Sequence, residues 1–239
     1  MAKKFNITKK QSNELYELIR FTHDTLTKHK IDYWITDGTL LGAVRHSGLI
    51  PWDDDGDICV MADQIPRLKK IRAYCDKKGY ELDQMEDEQN DSIPCCGKGK
   101  NGTDECDWYI GNKKHQLGCD IFVMITDPKK QSRVTFSNKY WRNAPSGGKK
   151  CYYERVHLFP LVPVHFGNFF VYGPNNPVER LNHCYGNDWN SHAQMLYNHR
   201  TGKWHKGSLR LMKSDDFKTI AAPKKTKNLN PPGIKKLKR

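Results

Sequence analysis

Tyr33-Trp34-Ile35-Thr36-Asp37-Gly38-Thr39-Leu40-Leu41-Gly42-Ala43-Val44-Arg45-His46-Ser47-Gly48-Leu49-Ile50-Pro51-Trp52-Asp53-Asp54-Asp55-Gly56-Asp57-Ile58 is the stretch from which the rest of the chain is best read. Residues 31–36 are rich in β-branched and aromatic side chains and read as a short strand. Asp37-Gly38 is a turn that opens a short helix over Thr39 to His46, and Ser47-Gly48 breaks it. Backbone N–H groups at a helix start favour phosphate, and a glycine lets the chain approach one closely. Gly38 and Thr39 are therefore candidate phosphate contacts, with Arg45 and His46 further along the helix as charged partners. For Arg45, an ion pair with a nearby aspartate is the competing reading, and both can hold at once.

The end of the stretch carries the chemistry. Side chains alternate along a strand, so Asp53, Asp55 and Asp57 share one face if the segment is extended. Crowded carboxylates repel and are pushed toward the neutral form unless a cation sits among them. Hard oxygen donors suit Mg2+ or Mn2+. Asp120 lies in an otherwise apolar strand, Cys119 to Ile125, where a carboxylate is costly to bury unless paired or bound to metal. A neighbouring strand would bring it beside Asp55 and Asp57. The candidate metal ligands are Asp53, Asp55, Asp57 and Asp120, with Asp55, Asp57 and Asp120 as the catalytic set. Such a site neutralises a pyrophosphate while a carboxylate helps deprotonate an attacking hydroxyl. A calcium loop is excluded by spacing, because counting from Asp53 places Ile58 at position 6 and Gln64 at position 12. A solvated acidic loop is the plainer alternative.

Working outward, Leu15, Leu18, Ile19, Thr22 and Leu26 recur at helical spacing and predict an amphipathic helix over 12–29. Strands are expected at 58–61, 80–85, 108–110 and 117–125, the last two joined by a Gly-Asn-Lys-Lys turn. One helix is expected from Ile65 to Lys78, capped by Asp63, and another from Pro177 to Tyr185, ended by Gly186. Residues 156–171, with Pro160 and Pro163, read as broken strand. Residues 131–150 carry no clear pattern, and 86–103 read as a polar, glycine-rich loop.

The chain has 239 residues, eight cysteines and a formal net charge of +13. Its length suits one domain with elaborations. Seven basic residues and no acidic one fall between Pro223 and Arg239. Residues 1–220 are thus expected to form the domain and 221–239 a basic tail, either solvated or in contact with an anionic partner. No apolar run is long enough to span a membrane, and Met1 to Lys10 lacks the apolar stretch of a signal peptide, so a soluble, cytoplasmic protein with free thiols is expected. Cys95, Cys96 and Cys106, with His115 or Cys119, are a candidate zinc set of non-standard spacing. Tyr185, Trp189 and Trp204 fit either core packing or stacking on a base or sugar.

The quoted stretch resembles the signature of the LicD family, which includes bacterial phosphocholine transferases, fukutin and fukutin-related protein. The matching elements are the tryptophan at 34, Gly38-Thr-Leu-Leu-Gly-Ala43, Arg45-His46 and Ile50-Pro-Trp-Asp-Asp-Asp-Gly-Asp57. Asp120-Ile-Phe122, the block from Leu158 to Gly167, and Pro177 through Tyr185 to Trp189 are similar to later elements. The resemblance implies an α/β fold of the nucleotidyltransferase type: a mixed sheet flanked by helices, with a smaller C-terminal part. It implies a phospho-alcohol, such as phosphocholine or phosphoribitol, moved from a CDP-linked donor to a glycan or glycoconjugate. By the same resemblance Asp55 and Asp57 are the metal pair, Asp120 the third carboxylate, and Gly38, Thr39 and Arg45 face donor phosphates. Gly56 departs from the pattern, standing where an apolar residue is frequent, which would leave the strand start more flexible. A nucleotidyltransferase acting on RNA or a small molecule is a second reading. A non-catalytic binder of nucleic acid or anionic polymer is a third.

Overall fold

The computed structural model describes residues 7–85, 106–112, 117–138, 141–142, 145–146, 149–150, 152–193, 197–198, 203–204 and 210–217. At its centre is a seven-stranded sheet. Strands β1 (Tyr33–Ile35), β2 (Gly56–Met61), β5 (Leu117–Asp127), β4 (Trp108–Asn112) and β3 (Tyr80–Gln84) lie side by side in that order. β6 (Lys130–Phe136) pairs with the far half of β5, and β7 (Tyr152–Glu154) pairs with β6. β2 and β5 run parallel, and the other pairings in this sheet are antiparallel. The sheet is mixed and flanked by helices, as the resemblance implies.

Alternation sends Ile35, Ile58, Val60, Ile121 and Val123 into one core, and Trp34, Cys59, Phe122 and Met124 into the other. Because both faces are covered, the middle of β5 reads as an unbroken apolar run. The first face carries α1 (Lys9–Lys28), which buries Leu15, Leu18, Ile19 and Leu26. A capping box starts this helix: the Gln11 N–H donates to Thr8 Oγ1 at 3.2 Å and the Thr8 N–H to Gln11 Oε1 at 2.9 Å. It begins three residues before the expected start because Lys9 and Lys10 are exposed and add nothing to the apolar stripe.

The second face is covered by β6, β7, α5 (Arg155–Leu158) and α6 (Pro177–Tyr185), with Trp34 edge-on to Tyr153 and Phe159. α6 keeps its expected bounds, with proline in its first turn and Gly186 beyond it at φ +83. Three expectations are corrected. The helix expected over 65–78 is two, α3 (Ile65–Lys70) and α4 (Arg72–Lys77). They break at Ile71, whose ψ of 1° lies outside the helical range and turns its side chain into the core. The broken strand expected over 156–171 holds only from Val162, where β8 (Val162–Phe166) and β9 (Phe169–Gly173) form a hairpin turned at Gly167; residues 156–158 belong to α5 instead. β6 occupies part of the unassigned region, masked in the sequence by its exposed polar start at Lys130, Gln131 and Ser132. The expected Gly-Asn-Lys-Lys turn starts inside β4, and its lysines lie outside the described residues, as do the 86–103 loop, the boundary at 220 and the tail.

Cys59, Cys75, Cys119 and Cys184 are buried thiols, whereas Cys106 is disulfide-bonded. This corrects the expectation of free thiols at Cys106 and removes it from the candidate zinc set, since zinc takes a thiolate. Cys95, Cys96 and His115 lie outside the described residues. No helix among the described residues is long and apolar enough to cross a membrane.

Asp107 completes the ladder where β4 begins. Its carboxylate accepts the Val123 N–H at 2.8 Å and an amide N–H of Asn138 at 3.3 Å. Burial nonetheless pushes its pKa up to about 6. The folded chain therefore holds this proton more tightly than the unfolded one. That contribution is full below about pH 4 and lost as the pH rises through about 6, up to about 3 kcal/mol. Asp107→Asn is expected to flatten the stability profile between pH 4 and 6.5 in urea titrations. A profile parallel to that of the parent chain would contradict this.

Candidate active site

The site grows from the way α2 (Asp37–His46) is entered and left. Thr36 is extended, its N–H donating to the Asp57 carbonyl at 3.0 Å, and Asp37 then takes a positive φ of 38° to start the helix. Ser47, in the left-handed region, ends it. The chain doubles back so tightly that a Cβ on Gly42 would sit 2.4 Å from the Gly48 carbonyl oxygen. This return carries Asp53 to Asp57 beneath the first turn of α2.

Asp53, Asp55 and Asp57 converge there, with one carboxylate oxygen from each lying within 4.8 Å of the others. Asp57 is buried and held reciprocally by Thr39. Its N–H donates to Thr39 Oγ1 at 2.8 Å, and its Oδ2 accepts the Thr39 N–H at 3.1 Å. Gly38 passes so close that a Cβ would stand 2.5 Å from Asp53 Oδ2 and 3.0 Å from Asp57 Oδ2. Asp120 sits in register beside Asp57 across the parallel β2–β5 pair, which places the two on one face of the sheet. Burial, then the charges of Asp55, Asp53, Asp37 and Asp120, push the Asp57 carboxyl well above the usual range. A buried carboxyl facing four others ionises only with a compensating cation. Converging hard oxygens of this kind fit Mg2+ or Mn2+.

Gly56 is buried rather than loose. A Cβ there would meet Ile19 Cγ1 at 3.0 Å and Cys119 Sγ at 3.1 Å, so packing against α1 and β5 favours the small residue.

Arg45 and His46 are turned toward the C-terminal part. The Arg45 guanidinium donates to the carbonyls of Trp189 at 2.8 Å and His192 at 3.1 Å, and burial lowers its pKa to about 10. His46 Nε2 lies 2.9 Å from the Asp216 carbonyl oxygen. Burial and the Arg45 charge hold its pKa down to about 4, so the ring is neutral at pH 7 and Nε2–H is the donor. Asp216 is clamped by Arg210 through two bonds, at 2.7 and 2.8 Å. These contacts fasten residues 210–217 to the motif beside Trp52. Of the expected phosphate contacts, Gly38 and Thr39 lie against the acid cluster, while the described hydrogen bonds of Arg45 run to Trp189, His192 and His46, and that of His46 to Asp216.

Three residues of the site escape the sequence reading. Asp37 lies in the motif but looks like a turn residue. Arg180 on α6 is buried and reaches Asp37 Oδ1 at 3.0 Å. Tyr153 on β7 places its hydroxyl 2.6 Å from Thr36 Oγ1. Nothing in the local sequence of the last two signals a role; only the pairing of distant elements does. Tyr185 belongs to the same wall. Burial, and then the carboxylates of Asp37, Asp57 and Asp53 among its neighbours, hold its hydroxyl well above the usual pKa. Trp189 donates from Nε1 to Asn182 Oδ1 at 2.8 Å and packs against the core, whereas the side chain of Trp204 lies outside the described set.

Residues 30–176 match the family model described as LicD/FKTN/FKRP, nucleotidyltransferase domain. An uncharacterized protein of Rickettsia prowazekii is 33% identical over 192 residues, 80% of this chain and 61% of the relative. The lipopolysaccharide cholinephosphotransferase LicD of Haemophilus influenzae is 34% identical over 70 residues, 29% of this chain and 26% of that protein. The ribitol 5-phosphate transferase FKRP of Mus musculus is 32% identical over 164 residues, 68% of this chain and 29% of that protein. The chain thus spans less than two thirds of the length of each of these relatives.

Proposed function

The chain belongs to the LicD/FKTN/FKRP nucleotidyltransferase-domain family, which includes phosphocholine and ribitol phosphate transferases, and from this premise we propose that it moves a phospho-alcohol from a CDP-linked donor to a glycan hydroxyl. The observation that carries the reading is the convergence of Asp53, Asp55 and Asp57 beneath Gly38 and Thr39, with Asp120 one strand away. Asp55 and Asp57, with Asp53 and Asp120, would hold Mg2+ or Mn2+, whose charge would offset that of the donor diphosphate.

The protein's own groups do the rest. Gly38 leaves room for the diphosphate at the helix start, where unsatisfied N–H groups favour anions. Thr39 fixes Asp57 through two hydrogen bonds, so one carboxylate oxygen keeps its aim. A carboxylate of the cluster takes the proton of the acceptor hydroxyl. That oxygen bonds to the distal phosphorus, the bond from this phosphorus to the bridging oxygen breaks, and CMP leaves. The wall of buried Tyr153 and Arg180 and half-buried Tyr185 excludes water on one side. The basic tail, by its charge, would attract an anionic acceptor.

The test is incubation of the full chain with CDP-choline or CDP-ribitol, a glycan acceptor and Mg2+ or Mn2+. CMP release that needs both metal and acceptor is expected. Release of pyrophosphate from a nucleoside triphosphate instead would mark a nucleotide-adding enzyme, and no CMP with any donor tried would count against the reading.

A further inference from the structure

We propose that Arg180 is a positioning residue: it holds the first turn of α2 in the shape that lets Asp53 and Asp57 receive a divalent cation, an inference that rests on the metal reading above. Its side chain is 2% exposed. One guanidinium nitrogen donates to Asp37 Oδ1 at 3.0 Å and another to the Tyr152 carbonyl at 3.3 Å. The guanidinium carbon lies 4.4 Å from the centre of the Tyr153 ring, a cation–π distance. The Tyr153 hydroxyl in turn meets Thr36 Oγ1. Both residues that lead into α2 are therefore gripped from the second face of the sheet, Thr36 by β7 and Asp37 by α6.

The grip matters because of what Asp37 does. It carries a positive φ of 38°, a conformation that a residue with a side chain keeps only where its surroundings over-determine it. Gly38 and Thr39 follow at once, and they are the residues that touch the carboxylates of Asp53 and Asp57. Relaxation at Asp37 is passed along two peptide bonds to the ligand oxygens, whose spacing must hold to about half an ångström.

Charge and geometry push in opposite directions, which makes the proposal separable. By Coulomb's law alone, losing a cation near the cluster should tighten binding of another cation. Losing the grip should weaken it. The ligand spacing dominates, since Arg180 already has its charge matched by Asp37 and adds little net field at the cluster.

The experiment titrates the full chain with Mn2+ alone, free Mn2+ being read by electron paramagnetic resonance and folding by circular dichroism. Arg180→Gln is expected to raise the Mn2+ Kd about tenfold, and Arg180→Lys to recover part of the loss, because lysine keeps the charge but not the planar fork. The double variant Asp37→Asn/Arg180→Gln removes both charges together, leaves no unmatched buried ion, and should show the same loss even if the single variant folds poorly. Unchanged or tighter binding in the folded variants overturns the role of Arg180. Failure of the parent chain to bind Mn2+, or equal binding after Asp57→Asn, overturns the metal reading itself and this inference with it.

Discussion

Asp57→Asn is expected to lower the rate of CMP release at least about a thousandfold, a loss of about 4 kcal/mol of transition-state stabilisation. The amide keeps the shape of the side chain, and its oxygen can still accept the Thr39 N–H. What it lacks is the charge at the most buried point of the cluster. The same substitution is expected to stabilise the metal-free chain. The folded-state pKa of Asp57 is raised, so its contribution to stability is full below about pH 4 and lost as the pH rises through the folded value. Without metal, the folded chain must either keep a proton on Asp57 that the unfolded chain gives up or ionise it beside Asp55, Asp53, Asp37 and Asp120, and the amide removes that cost. Thermal melts should show an increase of about 2–4 °C in Tm for each kcal/mol relieved. Mg2+ should raise the Tm of the parent chain and leave that of the variant unmoved. A variant that releases CMP within tenfold of the parent would contradict the assignment.

Gly38→Ala is expected to separate activity from stability in the other direction. No positive φ demands glycine at this position, and alanine is favoured over glycine in a helix by about 0.5–1 kcal/mol. The atom that an added Cβ meets most closely is the far end of the Asp53 side chain, 2.5 Å away, which must swing aside. It cannot do so without leaving the cluster and crowding the space assigned to the donor diphosphate. Transfer should fall about a hundredfold, since a misplacement of about 1 Å at a reacting centre costs that much. The melting temperature should stay level or rise. Transfer unchanged in Gly38→Ala would remove Gly38 from the site.

How far the sequence carries these conclusions differs from residue to residue. The acidic run, the strand before Asp37 and the helix after it were legible because period, turn and charge signals all fall within one short stretch. Asp120 was legible because a carboxylate in an apolar strand demands a partner, and the parallel pairing of β2 with β5 places it beside Asp57. Arg180 and Tyr153 were not, because their meaning lies in a contact with Asp37 and Thr36 more than a hundred residues away. Arg45 and His46 show the converse. Their residue types suit a phosphate, yet burial against Trp189, His192 and Asp216 gives them carbonyl partners that no local pattern announces. The break at Ile71 was hidden for a simpler reason: two short helices that bury Leu68, Ile71 and Cys75 present nearly the same apolar spacing as one.

The most direct measurement is an anomalous difference map from crystals of the full chain grown with Mn2+ and CDP-choline. A manganese peak about 2.1 Å from carboxylate oxygens of Asp55 and Asp57, touching the donor diphosphate beside Gly38 and Thr39, is the predicted result. Diphosphate bound away from these carboxylates, or a cluster that stays without manganese while the donor is bound, would contradict it.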